Sequence, residues 1–314
     1  MSRAFVFPGQ GAQTIGMGKA LAGAYPAAKA VFDEVDDALG EALSQLIWEG
    51  EPDQLTLTRN AQPALMATSL AALRALEAEG VTIDMAAYVA GHSLGEYSAL
   101  AAARALSVAD TARLLRTRGE AMQKAVPVGV GAMAAILGLG LDAVSDLAAA
   151  AAEGEICQAA NDNDPRQVVV SGHAAAVARA VTLAKERGAK RAMLLPVSAP
   201  FHCALMQPAA EVMQEALSEV EIKAPEVPLV ANVMAEAVQD PDTIRRLLVE
   251  QVTGSVRWRE SVGYMASQGV TDIWEIGADK ALSGMVRRID REVATRAVGT
   301  PQDVTAAAEA LRSS

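Results

Sequence analysis

Cysteine is scarce in this chain. Its 314 residues include two, Cys157 and Cys203, without metal-ligand spacing, which argues against a disulfide scaffold or a thiolate metal centre. Aromatic side chains amount to 4%, and with abundant alanine this favours helices. No apolar run approaches the ~20 residues that a bilayer span requires. The opening Met1–Phe7 is far too short for a signal h-region and runs straight into a turn, so a soluble, cytoplasmic protein is expected. Positive charge is also in deficit: 27 basic against 38 acidic residues leave a net −11. That balance argues against general binding to nucleic acid or an anionic membrane, and leaves room only for a local basic patch.

What is present is enough apolar material, 51% of residues, for a sizeable core in one large domain with an insertion or in two modest ones. The organising stretch is Val89-Ala90-Gly91-His92-Ser93-Leu94-Gly95-Glu96-Tyr97. Gly91-x-Ser93-x-Gly95 between a short apolar strand and an alanine-rich helix has the form of a nucleophile elbow, in which a sharp turn exposes the serine hydroxyl. On five residues alone this reading balances against a plain strand-to-helix turn with Ser93 as a cap.

Upstream, strand-like Ala4–Phe7 leads into Pro8-Gly9-Gln10-Gly11-Ala12-Gln13. A dinucleotide loop would need a further glycine where Thr14 stands, so that function is rejected. Helices are expected near 17–24, 27–39 and 63–78, and another over 108–126 begun by a Ser107/Asp110 capping box. On that last helix Arg118 falls among Leu114, Leu115, Ala121 and Met122, in the middle of the apolar face. An inward arginine wants an anionic partner, whether a structural one or a ligand.

Residues 127–197 change rhythm to βαββαβ, with Asn161–Pro165 read as a turn after a strand at 156–159. Beyond them His202 is presented by the loop Ser198–Cys203, and strands and helices alternate to the end. The expected fold class is therefore α/β. A mainly parallel sheet with flanking helices, an α/β-hydrolase-like core, spans 1–126 and 198–314, and a ferredoxin-like βαββαβ subdomain is inserted at 127–197.

Taken together, Phe7–Gln13, Gly91–Tyr97, Arg118-Gly119 and Phe201-His202 resemble malonyl-CoA:acyl carrier protein transacylases, in order and approximate spacing along essentially the whole chain. Ala12 and Cys203 depart slightly, at positions where serine is equally familiar. The resemblance implies Ser93 as nucleophile and His202 as base, with the backbone N–H groups of Gln10 and Leu94 as the oxyanion hole. It further implies Arg118 as the clamp on the malonyl carboxylate and the Gln251 carbonyl as the group orienting the imidazole. Malonyl-CoA and acyl carrier protein would be the substrates, with no metal and no bound cofactor. A serine thioesterase and a non-catalytic carrier-binding module are the two rival functions.

Other residues have weaker claims. Gln62 could line the pocket or start a helix, and His92 could touch the acyl group or be structural. His92 and Glu96, four apart, do not make a zinc site. His173, after a strand of the insertion, reads as structural. Phe201 would crowd an α-methyl branch, worth about 1–3 kcal/mol of preference. Since acyl carrier proteins are acidic, docking needs local positive charge, and Lys190, Arg191, Arg287 and Arg288 are the expected patch. With no exposed apolar stripe, a monomer is expected.

Overall fold

The computed structural model describes residues 2–312. Among the described residues ten strands form two sheets. The first contains β1 (Ser2–Phe7), β2 (Tyr88–Gly91), β7 (Leu229–Val230), β8 (Ala237–Val238), β9 (Val270–Ile276) and β10 (Ala294–Val298), ordered β10-β9-β1-β2-β7-β8. Every pairing in it is parallel except β7 with β8. The second contains β3 (Gly131–Leu137), β4 (Cys157–Asp164), β5 (Gln167–His173) and β6 (Arg191–Leu194), ordered β4-β5-β3-β6 and antiparallel throughout. The expected mainly parallel sheet and inserted ferredoxin-like unit are both present.

The central strand β1 is apolar on both faces because both faces are covered. In β1, Phe5 and Phe7 enter the large core under the helices Pro26–Leu39, Thr58–Ala78 and Val108–Lys124. Ala4 and Val6 point the other way, to Trp258, Val262 and Val286. That alternation is the two-residue period of a strand. The second sheet uses the same device to attach itself. Ala134, Ile136, Val168 and Val170 face its own helices, Leu141–Ala152 and Ala174–Glu186, whereas Met133, Ala135 and Val169 join the large core.

One expectation fails. Asn161–Asp164 is not a turn but the second half of β4. Asn and Asp favour turns where their side chains satisfy their own backbone, but here distant partners hold the segment extended. Asp162 N–H donates to the Val256 carbonyl and Val256 N–H to Ala160, both at 2.9 Å. Asp162 pairs with Arg259, Asp164 with Arg288, and Asn163 with His92. The helix expected from Pro63 begins at Thr58, leaving Pro63 inside it. The short helices Leu43–Glu49 and Pro52–Thr56 and the strand β8 had no counterpart in the sequence reading. The Ser107 cap is as expected, accepting from Asp110 N–H at 3.0 Å.

Candidate active site

Three parallel strands end at the same edge of the first sheet, and the loops leaving them carry Gln10 after β1, Ser93 after β2 and Asn232 after β7. This is where open parallel sheets place their ligands. Ser93 has φ 54°. A non-glycine residue in that left-handed region costs about 1–3 kcal/mol and persists only when its surroundings hold it. Both of its backbone groups are held: its N–H donates to Asn232 Oδ1 at 2.8 Å, and its carbonyl accepts from Gln251 Nε2 at 2.9 Å. Gly91 permits the turn, because a Cβ there would lie 1.9 Å from the Gly95 backbone. The following helix, Gly95–Ala102, could not otherwise pass so close to the strand.

His202, in the loop after β6, is also left-handed, with φ 58°, and is 4% exposed. Its Nε2 lies 2.7 Å from Ser93 Oγ. On the other side Nδ1 lies 2.8 Å from the Gln251 carbonyl and 3.2 Å from that of Gly254. Carbonyls only accept, so the proton sits on Nδ1 and Nε2 is free to accept from the serine hydroxyl. Burial, reinforced by the nearby Arg118 charge, pushes the imidazole down to about 3, so it is neutral, with Nε2 unprotonated, in resting enzyme at neutral pH.

Arg118 completes the centre from the helix Val108–Lys124 and is 1% exposed. Its Nη1 donates to Gln62 Oε1 at 2.7 Å, and its Nη2 to Gln251 Oε1 at 2.7 Å and Ser93 Oγ at 3.0 Å. Gly119 makes this reach possible. A Cβ there would lie 2.6 Å from Arg59 Cα, so the glycine lets this helix press against the start of Thr58–Ala78, which carries Gln62. The acceptors are all uncharged, and among the described residues Arg118 forms no direct ion pair. A buried guanidinium arranged in this way is prepared for an incoming anion.

These groups open into a cleft of about 380 Å³ between the two sheets, walled by Met133 and Asn161 from the second sheet and Leu195 just beyond it. Gln10 and Leu94 line it, and the Gln10 side chain is fixed by the Thr58 hydroxyl at 2.7 Å. Among the described residues the backbone N–H groups of Gln10 and Leu94 have no internal acceptor. Two free donors beside Ser93 can receive a developing oxyanion. Phe201 forms part of the wall next to His202. His92 also lines the cleft, but its Nε2 lies 2.8 Å from Asn163 Oδ1, joining the elbow to β4. His173 Nδ1 accepts from Ile156 N–H at 2.9 Å.

The basic residues lie apart from this centre. Arg191 and Asp164 occupy one row across the second sheet, Arg191–Leu137–Gln167–Asp164, and Arg288 pairs with Asp164 at 2.6 Å. Arg287 donates to Thr295 at 2.9 Å. Lys190 precedes Arg191 at the same end of the sheet, about 13 Å along the strands from Met133.

Two side chains that hold the site together escaped the sequence reading. Asn232 buttresses the elbow at both ends, since it also donates from Nδ2 to the Gly91 carbonyl at 2.6 Å. Its one signal is its position directly after a parallel strand. Glu96 is 1% exposed, and its Oε2 accepts from Gln251 Nε2 at 2.9 Å and Asn232 N–H at 3.0 Å. In the sequence it stood out only as a metal partner for His92. Among the described residues no group of three or more His, Cys, Asp or Glu could hold a metal ion.

A strained serine on a strand-to-helix elbow, a buried neutral histidine and two free N–H groups are the parts that acyl transfer through a serine uses. The chain belongs to the acyl transferase family: the acyl transferase domain model matches residues 4–298. Within that family it stands with the malonyl-CoA:acyl carrier protein transacylases. It is 49% identical to the malonyl CoA-acyl carrier protein transacylase of Bacillus subtilis over 98% of this chain and 97% of that one. Identity to the Escherichia coli K12 transacylase is 45%, covering 98% of each. The crystal structure of the acyl-carrier-protein S-malonyltransferase of Bartonella henselae superposes with a TM-score of 0.97 at 54% identity, covering 99% of this chain and 100% of that one. A malonyl-transacylase solved in complex with its type II polyketide synthase acyl carrier protein gives 0.96 at 40% identity, covering 99% and 100%.

Proposed function

We propose that the protein transfers a malonyl group from malonyl-CoA to the phosphopantetheine thiol of acyl carrier protein by a ping-pong route through malonyl-Ser93. The observation that carries this reading is that one oxygen, Ser93 Oγ, lies both 2.7 Å from a neutral imidazole nitrogen and 3.0 Å from a buried guanidinium. His202 Nε2 takes the hydroxyl proton as Oγ attacks the thioester carbonyl, and the Gln10 and Leu94 N–H groups receive the oxyanion. The tetrahedral intermediate collapses, the C–S bond breaks, and the imidazolium returns its proton to the departing coenzyme A sulfur. The carrier thiol then gives its proton to His202 and attacks the malonyl ester, and Ser93 leaves with that proton. Arg118 holds the free carboxylate throughout, exchanging its bond to Ser93 Oγ for a two-pronged contact. Gln251 holds the imidazole through its backbone carbonyl.

The enzyme acts as a cytoplasmic monomer without bound cofactor or metal. No described helix is long and apolar enough to cross a membrane. Residues 127–197 serve as the inserted subdomain, and the acidic carrier docks on Lys190, Arg191, Arg287 and Arg288. The carrier complex of a 40%-identical neighbour supports acyl carrier protein as the partner. The test is to incubate the protein with malonyl-CoA, map the covalent label, and chase with holo carrier protein. Label on Ser93 that moves to the carrier thiol with little free malonate is expected. Hydrolysis outrunning transfer would indicate a thioesterase, and absence of label would indicate a binding module.

A further inference from the structure

We propose that Glu96 is the resting counter-charge of Arg118 and that its charge sets how strongly the clamp prefers a carboxylate-bearing acyl group over an uncharged one. The inference rests on Arg118 holding the acyl carboxylate. Two oppositely charged side chains, each 1% exposed, are connected without touching. Arg118 Nη2 donates to Gln251 Oε1 at 2.7 Å, and the same amide donates from Nε2 to Glu96 Oε2 at 2.9 Å. The amide thus faces its oxygen to the cation and its nitrogen to the anion, the orientation that both charges favour. An isolated buried charge is expensive, so each of this pair stabilises the other in the empty site. When a malonyl carboxylate arrives, Arg118 gains a second and closer anion, and an ionised Glu96 then competes with the substrate for the guanidinium.

The remaining groups around Glu96 are close to neutral. Burial lowers the His92 imidazole, pushes His202 down to about 3 and raises the Tyr97 phenol, leaving Arg118 as the charge that Glu96 meets. Glu96 itself is pushed up by burial to about 7, against the opposing influence of Gln251, Asn232 and Arg118. It is therefore largely protonated below that pH and ionised above it. The sign follows: as pH rises through about 7, Glu96 becomes an anion, Arg118 is partly neutralised, and preference for malonyl over acetyl falls. Both hydrogen bonds fall on one carboxylate oxygen, Oε2, so Glu96→Gln can keep them through its own Oε1 while removing the charge.

The test is single-turnover loading of Ser93 from malonyl-CoA and from acetyl-CoA between pH 5.5 and about 8.5, a range in which the malonyl carboxylate stays ionised. In the unaltered enzyme the malonyl-to-acetyl ratio of loading rates should fall about threefold to tenfold as Glu96 ionises, the scale of up to one pK unit of coupling. In Glu96→Gln the ratio should hold at the low-pH value of the unaltered enzyme across the whole range. Glu96→Asp, which keeps the charge but shortens the side chain, should load more slowly yet retain a pH-dependent ratio. A flat ratio in the unaltered enzyme overturns the proposal without any variant, as does a Glu96→Gln ratio that still falls with pH. Arg118→Ala separates the two layers. Parallel losses on both acyl groups would reject the clamp itself, whereas a selective malonyl loss beside a pH-dependent Glu96→Gln ratio would reject only the role of Glu96.

Discussion

The two sheets each pack on both faces at their centres, yet they contribute to the cleft in different ways. The parallel strands β1, β2 and β7 all run towards the same edge, so the loops leaving them converge and deliver Gln10, Ser93 and Asn232 to one place. Antiparallel strands end alternately at opposite edges and produce no such convergence. The second sheet instead presents a side, with Met133 and Asn161 facing the cleft as wall rather than reagent. Parallel order thus concentrates backbone N–H groups and a strained serine, whereas antiparallel order supplies a shaped surface joined across a seam. That seam is polar. Asp162 and Asp164, each 1% exposed, pair with Arg259 and Arg288 from helices of the first sheet's side.

Substitutions at the parallel edge should break the chemistry, and the largest effect is expected at Ser93, the proposed nucleophile. Ser93→Ala should lower malonyl transfer by about 10⁴-fold or more and abolish the covalent intermediate, read by intact mass after incubation with malonyl-CoA. Transfer above a few per cent of the unaltered rate would mean that another group does the attack.

Arg118→Ala comes next. Malonyl loading should fall by about 10²-fold, the scale of a lost buried charge contact of 2–5 kcal/mol, while acetyl loading falls less. The comparison is made on kcat/KM for the two thioesters.

The same edge has a pH signature. Because His202 is held at about 3, its base form persists as pH falls through the ordinary histidine value, so kcat/KM for loading should show no decline near 6.5. A rate that climbed with pH through 6.5 would show an imidazole titrating as if exposed. The Glu96 effect has the opposite sign, a malonyl preference that falls as pH rises, and the two cannot be confused.

At the seam the readout changes from rate to stability. Arg259→Ala leaves Asp162 buried without its cation and should destabilise the fold by about 1–3 kcal/mol, discounted because the arginine is itself 34% exposed. Chemical denaturation measures this, and loading of Ser93 at low temperature should change far less than stability does. Equal damage to both would make the seam part of the catalytic apparatus and erase the distinction between the two sheets.

The smallest effect is expected farthest from the chemistry. Lys190→Glu with Arg191→Glu should slow transfer to carrier protein severalfold and more at low salt, since rim charges act mainly on association, and should spare loading from malonyl-CoA. If the carrier step were untouched, docking would have to be sought elsewhere on the cleft rim.

Local patterns made much of this legible. Gly91-x-Ser93-x-Gly95 was readable because only glycine tolerates the approach of Gly95 to the β2 backbone, a requirement of the turn itself. Arg118 was readable as inward because helical period places it among leucines. Asn161–Asp164 misled for the converse reason: its composition states a local preference, and Arg259, Arg288, His92 and Val256 override it from far along the chain.

By itself the sequence determined the parallel α/β class, the βαββαβ insertion, the elbow and the direction of Arg118, since each follows from spacing within a few turns of chain. Tertiary structure alone decided the network that makes the elbow work. Gln251 meets Ser93, Arg118 and Glu96, and Asn232 bonds the Ser93 N–H, across separations of up to 158 positions. Hydrogen bonds reach about 3 Å and depend on direction, so no periodicity in a chain encodes them. They exist because β1, β2 and β7 end together and the helix Pro241–Thr253 packs beside that edge, bringing a buried cation, a buried anion and one amide within bonding distance.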